Sequence, residues 1–460
     1  MSDPRRRPER RPRPARVDAA RLAAFDVLRA VREDDAYTNL VLPPLLRGRG
    51  ISGRDAAFAT ELVSGTIRRQ GTYDAVLAAN LHRPLAKVQG PVLDALRLGA
   101  HQLLSMRVPT HAAVGTTVDL VRAKVGQGPS GLVNAVLRGV AGHDLPGWVR
   151  RVAPDPGADP VGFASVAHAH PRWVVEALAE AVGADELDAL LTADNQAPKV
   201  TLVALPGQAT RAELEGTPST QSDYAVTLGA GDPGEIPAVA EGRARVQDEG
   251  SQLVATALAQ AAVDGADARW LDLCAGPGGK SALLAAHAAG RGARVLAVER
   301  QPHRAALVAS ATARVRAGLL GVVAADGRRP VWRDGAFDRV LVDAPCSGLG
   351  ALRRRPEARW RRTPEDVAEL VPLQQALLRS ALDAVRPGGV VAYATCSPVL
   401  AESAGVVTAV LEGRRDAVLR DAVPLVPGMR DAAGPLPGTV QLWPHRHGTD
   451  AMFLALLQRS

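Results

Sequence analysis

Apolar residues recur at helical spacing from residue 17 to about residue 143. The first of these stretches begins directly after Asp18, a residue type that caps helix N-termini. Further apolar-faced stretches follow at 92–104 and 131–138. The pattern predicts an all-α domain over residues 16–143. Because this segment contains no catalytic constellation, a binding or scaffold module is the simplest interpretation.

The character of the chain changes twice between residues 144 and 245. Residues 144–161 are rich in proline, glycine and aspartate, which is typical of a linker. A helix rich in alanine, valine and leucine is expected from about residue 170, and the run VTLVAL at 200–205 alternates as a strand does. We therefore predict a linker over 144–161 and a small α+β subdomain over 162–245.

From residue 246 onward, short apolar runs alternate with helical segments. A helix is expected to run through Leu258, and two last strands, near 440–443 and 452–457, are expected to form a hairpin-like return. The apolar runs between them lie at 270–273, 293–298, 320–325, 337–342 and 389–394. Strands that alternate with helices predict an α/β domain with a parallel sheet, here over residues 246–460.

A glycine-rich turn joins the first of these strands to its helix, in LDLCAGPGGKSALL at 271–284. Such a turn lets the backbone approach a nucleotide-like ligand closely, because glycine has no Cβ. The second apolar run ends in Glu299. A carboxylate at that place can accept hydrogen bonds from both hydroxyls of a ribose. We expect a ligand with a ribose at this edge.

Three classes of ligand could use this turn. A dinucleotide requires a third glycine where Ser281 stands, and a P-loop requires an opening glycine where Cys274 stands. S-adenosylmethionine requires a glycine turn and an acid but no phosphate cradle. The turn alone leaves the three open.

The chain is basic, with a formal net charge of +7, and this favours a polyanionic partner. Residues 1–15 are mostly arginine and proline and are expected to form a disordered basic arm, which either contacts RNA phosphates or keeps the chain soluble. Aromatic residues make up only 3% of the chain. The small subdomain over 162–245 is therefore expected to recognise RNA by shape and phosphate contacts rather than by stacking.

The chain has three cysteines and no CxxC pair, signal peptide or apolar run long enough to span a bilayer. We therefore expect a cytoplasmic protein without a membrane segment or a zinc site. His445 and His447 lie two positions apart, but no further metal ligand is in view, so no metal is predicted. His101 and His111 are expected to be satisfied or surface side chains for the same reason.

Two cysteines follow predicted strands. Cys346 lies in DAPCSG, together with Asp343, and Cys396 lies in TCSP. Because the carboxyl ends of parallel strands meet at one edge of a sheet, both thiols and the carboxylate should share the edge of the glycine turn. Cys274, by contrast, is interpreted as a small buried apolar residue.

Two thiols and a carboxylate beside a cofactor pocket serve a narrow chemistry. Carbon 5 of cytosine is a poor nucleophile until a thiolate adds to carbon 6. A carboxyl group at the N3 and amino edge of the ring would stabilise the charge that develops. After methyl transfer, a base must remove the carbon 5 proton before the thiol can leave. The target base must also leave its local stack, so that the thiol reaches carbon 6 from above the ring.

The segments CAGPGGK at 274–280, DAPCSG at 343–348 and ATCS at 394–397 resemble the three core motifs of the Sun family of RNA cytosine-5 methyltransferases. The layout is similar to the bacterial Sun/Fmu (RsmB-like) type, which modifies small-subunit ribosomal RNA. The resemblance implies a Rossmann-like catalytic domain that depends on S-adenosylmethionine, with a mostly parallel seven-stranded sheet. It further implies an RNA-recognition-like α+β subdomain and an all-α NusB-like N-terminal domain.

The resemblance also implies site residues. It makes Cys396 the nucleophile and Cys346 the residue that assists product release, a choice that the order of the motifs alone leaves open. It places Glu299, Asp326 and Asp343 around the cofactor or the target base, with Glu299 standing where many members carry aspartate. The implied cofactor-binding residues are Cys274, Ala275, Gly276, Pro277, Gly278, Gly279, Lys280, Glu299, Asp326 and Asp343. In the N-terminal domain, the positions that match are Arg54, Glu61, Gly65 and Arg68.

Arginines crowd the segment after Cys346, at Arg353, Arg354, Arg355 and Arg359. Their position predicts a clamp for RNA phosphates and a base, and a solvated arginine face is the rival interpretation. The expected partner is RNA, either 16S rRNA or a small-subunit particle, bound by a monomer.

Two other classes of function remain open at this point. The first is a P-loop-like NTPase, in which Asp343 would bind magnesium. The second is a non-catalytic RNA-binding scaffold, which the presence of both Cys346 and Cys396 disfavours.

Overall fold

The computed structural model describes residues 17–229 and 231–460, so the predicted basic arm at 1–15 lies outside the described residues. The chain forms two compact units, which divide between His170 and Pro171. Each has a buried apolar core of its own.

Within the described part of the first unit, residues 17–170, every regular element is helical. Asp18 caps the first helix by accepting a hydrogen bond from the backbone N–H of Arg21. Apolar side chains such as Phe25 and Leu62 are buried between the helices. The all-α prediction is confirmed. Helices α1 to α9 are Ala19–Glu33, Thr38–Gly48, Gly53–Arg68, Gln70–Ala79, Gly90–Leu104, Thr110–Lys124, Ser130–Val140, Leu145–Val152 and Pro160–Ala167.

The linker predicted over 144–161 is not a linker, because α8 and the start of α9 occupy much of it. Asp144 and Asp159 cap these helices, and a proline follows in the first turn of each. Trp148 is buried, donates a hydrogen bond of 2.7 Å from Nε1 to the Val140 carbonyl, and holds α8 in the core. The aspartates and prolines taken as loop signals are therefore helix-start signals.

The second unit begins with two helices and a small antiparallel sheet. Helices α10 and α11 are Arg172–Val182 and Ala184–Asp194, and the short α12 is Pro237–Ala240. Strands β1 to β4 pair in the order β2-β3-β1-β4. This arrangement has the elements expected of an α+β subdomain. The four strands are Val200–Ala204, Thr217–Pro218, Ala225–Leu228 and Ala244–Val246.

The rest of the second unit is built on an eight-stranded sheet. Five neighbouring strands, β9-β8-β5-β6-β7, run parallel, and β12 and then β10 extend the sheet antiparallel beside β9. Strand β11 pairs with β12 alone. The strands β5 to β12 are Arg269–Asp272, Arg294–Glu299, Leu319–Ala324, Phe337–Asp343, Val385–Thr395, Ala417–Arg420, Val440–Gln441 and Phe453–Arg459. The helices α13 to α19 are Glu249–Gln260, Gly279–Ala289, Pro302–Ala311, Ala358–Arg361, Pro364–Ala384, Ala404–Glu412 and Pro444–His447.

Helices cover both faces of this sheet. Successive residues of one strand alternate between two apolar clusters, as Trp270 and Leu271 do in β5. The first cluster includes buried residues of α13 and α14, and the second includes those of α17 and α18. The predicted Rossmann-like, mostly parallel architecture is confirmed, with eight strands in place of seven because the short β11 pairs with β12.

Some elements differ from the expectation. Helix α17 continues through Pro372, a residue type that usually ends or kinks a helix. Proline inside a helix costs about 3 kcal/mol, and burial of Leu377, Leu378 and Leu382 against the sheet offsets that cost. Strand β10 was not predicted, because its burial is incomplete and its apolar run is only three residues, Ala417 to Leu419.

Candidate active site

The glycine turn leads from the end of β5 into α14, as predicted. Gly278 has φ +106°, and a Cβ there would lie 2.5 Å from the Ala311 Cβ. Only glycine fits this position without displacing α15. Below the turn, the buried Asp272 carboxylate accepts a hydrogen bond of 2.7 Å from Ser281 Oγ. Burial raises the pKa of Asp272 to about 7.

Glu299 ends β6 directly beside this turn. Its Oε1 accepts a hydrogen bond of 2.9 Å from the Gln301 N–H, and its Oε2 lies 3.5 Å from the Arg304 guanidinium. A Cβ on Gly276 would lie 2.0 Å from Glu299 Oε2, so glycine is needed for the carboxylate to reach the turn. Arg304 also donates to the Gly276 carbonyl, at 2.9 Å, and so ties the turn to the start of α15.

The segment ahead of α13 contacts the same turn. Gln247 is buried, and its side chain lies 3.7 Å from the place of a Cβ on Gly279. Its Oε1 has no hydrogen-bond partner. A buried carbonyl oxygen without a donor is costly, and a bound molecule with an N–H or O–H group would satisfy it. The glycine cradle, Glu299 and this oxygen together fit S-adenosylmethionine, which carries a ribose and an ammonium group.

Two residues beyond the end of β7 lies Asp326. Its carboxylate accepts hydrogen bonds from the backbone N–H of Arg328, at 3.0 Å, and from the Arg328 guanidinium, at 2.6 Å. The guanidinium lowers the pKa of Asp326 to about 2. An Asx-type turn is thus present at Asp326, and a ligand amino group would compete with Arg328 for the carboxylate.

Asp343 ends β8 and faces α14. Its Oδ2 accepts a hydrogen bond of 2.9 Å from Lys280 Nζ. The Lys280 side chain is largely buried. The lysine of the GKS segment is therefore engaged with a carboxylate at the strand edge rather than with the loop's own backbone.

Cys346 and Cys396 meet at this edge, with their Sγ atoms 3.5 Å apart, and both are half-buried. Two thiols in contact can share a proton either way, and the surrounding charges break the symmetry. The hydrogen bond from Cys346 lowers the pKa of the Cys396 thiol; burial and the Asp343 carboxylate oppose this shift, and Lys280 and Arg355 add to it. The same hydrogen bond, burial and the Glu402 carboxylate raise the pKa of Cys346.

The third thiol belongs to a different environment. Cys274 is half-buried and packs against the apolar cluster that includes Leu271 and Leu273. Burial raises its pKa well above the usual range. A thiol held protonated in this way is a poor nucleophile.

Three buried residues at the site were missed in the sequence. Glu402 is fully buried and accepts hydrogen bonds from Ser347 and Ser397, the residues that follow the two cysteines. The available signal was the repeated Cys-Ser dipeptide, at 346–347 and 396–397. Glu402 itself has no neighbouring motif that marks it.

Most of the predicted arginine clamp is internal. Arg353 and Arg359 are buried, the first donating to the Gly448 carbonyl at 2.8 Å and the second to Asn195 Oδ1 at 2.8 Å. Arg354 is half-buried and pairs with Asp248 and Asp450, at 2.7 and 3.2 Å. These three arginines hold the segment after Cys346 through partners within the protein, and their role in an RNA clamp stays a prediction. Arg355 is exposed and its charge acts on Cys396.

The two C-terminal histidines have partners within the second unit. His445 Nε2 lies 2.8 Å from Glu186 Oε2, and His447 accepts from the Trp443 N–H at 2.8 Å. In residues 17–229 and 231–460, no three His, Cys, Asp or Glu side chains come together as a metal site. Over the same residues, no helix has the length and apolar character needed to cross a membrane.

In the first unit, Gly65 and Glu61 surround His101. A Cβ on Gly65 would lie 2.3 Å from the His101 ring, and Glu61 Oε1 lies 3.6 Å from His101 Nε2. His101 Nδ1 is hydrogen-bonded to Tyr73 Oη at 2.8 Å. The histidine is buried, its Nδ1 is paired with Tyr73 while its Nε2 has no hydrogen-bond partner, and Gly65 makes room for the ring.

Comparison with known proteins identifies both units. Residues 259–458 match the family described as 16S rRNA methyltransferase RsmB/F, and residues 18–142 match the NusB family. The protein Rv1407 of Mycobacterium tuberculosis (strain H37Rv) is 54% identical over 465 residues, which cover 100% of each chain. Ribosomal RNA small subunit methyltransferase B of Vibrio cholerae is 31% identical over 422 residues, which cover 89% of this chain and 91% of that one.

The crystal structure of PH0851 has the same fold. It matches with a TM-score of 0.78 at 21% identity and covers 95% of this chain and 98% of that one. The resemblance to the Sun family is confirmed, and S-adenosylmethionine is the methyl donor of this protein. Because relatives above 30% identity span nearly its whole length, this chain belongs to the 16S rRNA methyltransferase RsmB/F family.

Proposed function

We propose that this chain methylates carbon 5 of a cytosine in small-subunit ribosomal RNA through a covalent adduct with Cys396. The observation that carries the proposal is the contact between Cys396 and Cys346 at the edge that also bears the glycine turn. Methylation of a ring nitrogen or a ribose hydroxyl needs no thiol, whereas carbon 5 of cytosine does. The name of the Vibrio cholerae relative supports the small-subunit rRNA as the substrate.

In the first step, the Cys396 thiolate adds to carbon 6 of the flipped base. A new S–C bond forms and the electron pair of the 5,6 double bond moves toward carbon 5. The lowered pKa of Cys396 favours the thiolate that this step requires. Asp343 would face the N3 and amino edge of the ring, and the Lys280 ammonium that holds Asp343 would offset the negative charge that develops there.

Bound S-adenosylmethionine supplies an electrophilic methyl group to carbon 5. The glycine turn at 276–279, Glu299 and Gln247 would hold it beside the base. After the transfer, carbon 5 carries both the methyl group and its original hydrogen. Loss of that proton to a base restores the double bond as the Cys396–carbon 6 bond breaks. Cys346, in contact with the departing sulfur, assists this release.

Arg355 and the basic character of the chain support RNA as the polyanionic partner. Arg355 is exposed beside Cys396 and is suited to a phosphate next to the target nucleotide. We assign recognition of further RNA to the NusB-like domain and the small antiparallel sheet of the second unit.

Bisulfite mapping of 16S rRNA tests the proposal. RNA from cells with and without the gene is compared, and one cytosine should lose its protection in the deletion strain. Purified protein with S-adenosylmethionine should restore it on 16S rRNA or on small-subunit particles, and this comparison also identifies the substrate form. An unchanged cytosine map, or binding of ATP without binding of S-adenosylmethionine, would overturn the proposal.

A further inference from the structure

Glu402 lies six residues after Cys396 and is fully buried between the two cysteine-bearing loops. Its carboxylate accepts four hydrogen bonds. Oε1 receives the Ser347 N–H at 2.7 Å and Gln374 Nε2 at 3.1 Å. Oε2 receives Ser347 Oγ at 2.5 Å and Ser397 Oγ at 2.6 Å. Both oxygens are therefore satisfied by donors that come from three separate segments.

These bonds join the loops on which the thiols stand. Ser347 directly follows Cys346, Ser397 directly follows Cys396, and the two hydroxyl oxygens lie 3.0 Å apart. Gln374 of α17 adds a second link, because its Nε2 also donates to the Pro345 carbonyl at 2.8 Å. The distance between the two sulfurs is thus set through one buried carboxylate.

The carboxylate is itself held in place. Tyr393 Oη donates to the Glu402 backbone carbonyl at 2.7 Å, from the strand that ends in the Cys396 loop. A second backbone contact fixes the Cys346 loop, since the Gly350 N–H donates to the Cys396 carbonyl at 2.9 Å. A Cβ on Gly350 would lie 2.8 Å from the Cys396 carbonyl oxygen, so glycine is needed for the two loops to approach this closely.

We propose that Glu402 is a positioning residue that holds Cys346 and Cys396 in contact and keeps the shared proton on Cys346. The proposal rests on the two-cysteine mechanism above. The charged groups that act on Cys396 are Asp343, Lys280 and Arg355, whereas Glu402 acts on Cys346. The negative charge of Glu402 favours the proton on Cys346, and the positive charges of Lys280 and Arg355, opposed by Asp343, favour its loss from Cys396.

A purely structural carboxylate would behave differently. Its loss would lower the free energy of unfolding and weaken every function of the domain together. A positioning carboxylate sets the relative reactivity of two thiols, which can be measured without any methyl transfer. The two roles are therefore separable by experiment.

The test uses the full-length chain with Glu402→Gln, Glu402→Ala and the control Glu412→Gln. Glu412 is exposed at the end of α18, ten residues further on. Iodoacetamide is applied across a pH series, and mass spectrometry follows the Cys346 and Cys396 peptides separately. In the parent chain, Cys396 should react faster at each pH. The ratio of the two rates should fall about tenfold in Glu402→Gln, as one unit of relative pKa requires, and stay unchanged in Glu412→Gln.

A second measurement ties the result to the reaction. Single-turnover methyl transfer to a 16S rRNA fragment should fall roughly a hundredfold in Glu402→Ala, as expected when reacting groups are misplaced. Calorimetric binding of S-adenosylmethionine should not change. Parent-like thiol ratios in Glu402→Gln would overturn the proposal, as would a loss of cofactor binding that parallels the loss of transfer. Should Glu402→Ala not fold, Glu402→Gln decides alone, because it keeps the size of the side chain.

Failure of the two-cysteine mechanism gives a different result. In that case Cys396→Ala would retain methyl transfer, whatever the Glu402 variants do. If Cys396→Ala is active, the two-cysteine mechanism is rejected. The positioning role of Glu402 still stands in that case, provided that the ratio of thiol reactivities changes in Glu402→Gln.

Discussion

Lys280 donates a hydrogen bond of 2.9 Å to Asp343 and thereby connects the first turn of α14 to the end of β8. The pair lies beside Cys396, whose pKa the lysine lowers and the aspartate raises. The sequence GKS at 279–281 matches the end of a P-loop, yet the lysine it supplies faces a carboxylate near a thiol. Its positive charge therefore favours the thiolate form of Cys396.

Replacement of Lys280 by methionine should move the pH dependence of methyl transfer. Without the ammonium group, the pKa of Cys396 rises, so the thiolate forms only at higher pH. The rising limb of single-turnover rate against pH should shift upward by about one unit. Lys280→Arg keeps the charge and serves as the control. An unshifted limb in Lys280→Met would contradict an electrostatic role for the lysine.

The two cysteines should give opposite phenotypes. Cys396→Ala should abolish methyl transfer, because carbon 6 then lacks its nucleophile. Cys346→Ala should leave protein covalently bound to RNA, since addition proceeds but release is slowed. A denaturing gel with labelled 16S rRNA detects the adduct, and the double variant should form none. An adduct in Cys396→Ala and none in Cys346→Ala would exchange the two roles.

Two glycines of the cofactor turn, Gly276 and Gly278, should differ in their tolerance of alanine. Gly278→Ala combines a positive φ with a contact of 2.5 Å to Ala311, so it should lower the free energy of unfolding by about 2–3 kcal/mol. Gly276→Ala displaces the flexible Glu299 side chain and should weaken binding of S-adenosylmethionine while the fold persists.

Gly290→Ala is the matched control for these variants. Its Cβ would meet nothing closer than 3.6 Å, and its φ is −64°. We expect a change within about 0.5 kcal/mol. Urea unfolding and calorimetric titration separate the stability effect from the binding effect. Equal losses at 278 and 290 would contradict the steric account.

Asp272 should make stability fall as pH rises. Its pKa is 3.8 ordinarily and about 7 in the fold, so the folded state binds the extra proton between these values. The stabilisation is fully present below about pH 4 and is lost as pH rises through about 7, on the order of 4 kcal/mol in all. Asp272→Asn, measured by urea unfolding in the absence of cofactor, should lack this slope.

Asp326 provides the opposite sign in the same experiment. Arg328 lowers its pKa to about 2, so its contribution is present above about pH 4 and is lost as pH falls toward 2. Asp326→Asn should therefore alter only the acid limb. A parent-like slope between pH 4 and 7 in Asp272→Asn would show that the Asp272 carboxyl is not the group responsible.

The elements that could be predicted from the sequence are those that a local residue pattern determines. The parallel strands appeared as apolar runs because both faces of the sheet are covered, and the cysteines and Asp343 stood at strand ends where topology brings them together. The turn at Gly276 to Gly279 was visible because its backbone conformation restricts the residue type. The choice of Cys396 over Cys346 as the predicted nucleophile came from the family resemblance, not from spacing.

The features that could not be predicted from the sequence depend on contacts between residues far apart in the chain. Arg353 and Arg359 have the composition of an RNA-binding face, but their partners, Gly448 and Asn195, lie far along the chain. Glu402 looks like any helix-preceding glutamate until Ser347 is brought beside it across 55 residues. The segment 145–152 forms a helix whose Trp148 ring is buried, and this tertiary contact is not visible in the sequence.

The pairing of β12 with β9 has a consequence for the order of assembly. Thr395, directly before Cys396, pairs with Phe453, so the strand that leads into Cys396 gains its second neighbour only from residues 453–459. While the chain is being translated, β9 must remain an open edge until those residues emerge, and open apolar edges promote aggregation. A chain that is truncated before residue 453 is therefore expected to aggregate through the open edge of β9, rather than to fold into an enzyme of lower activity.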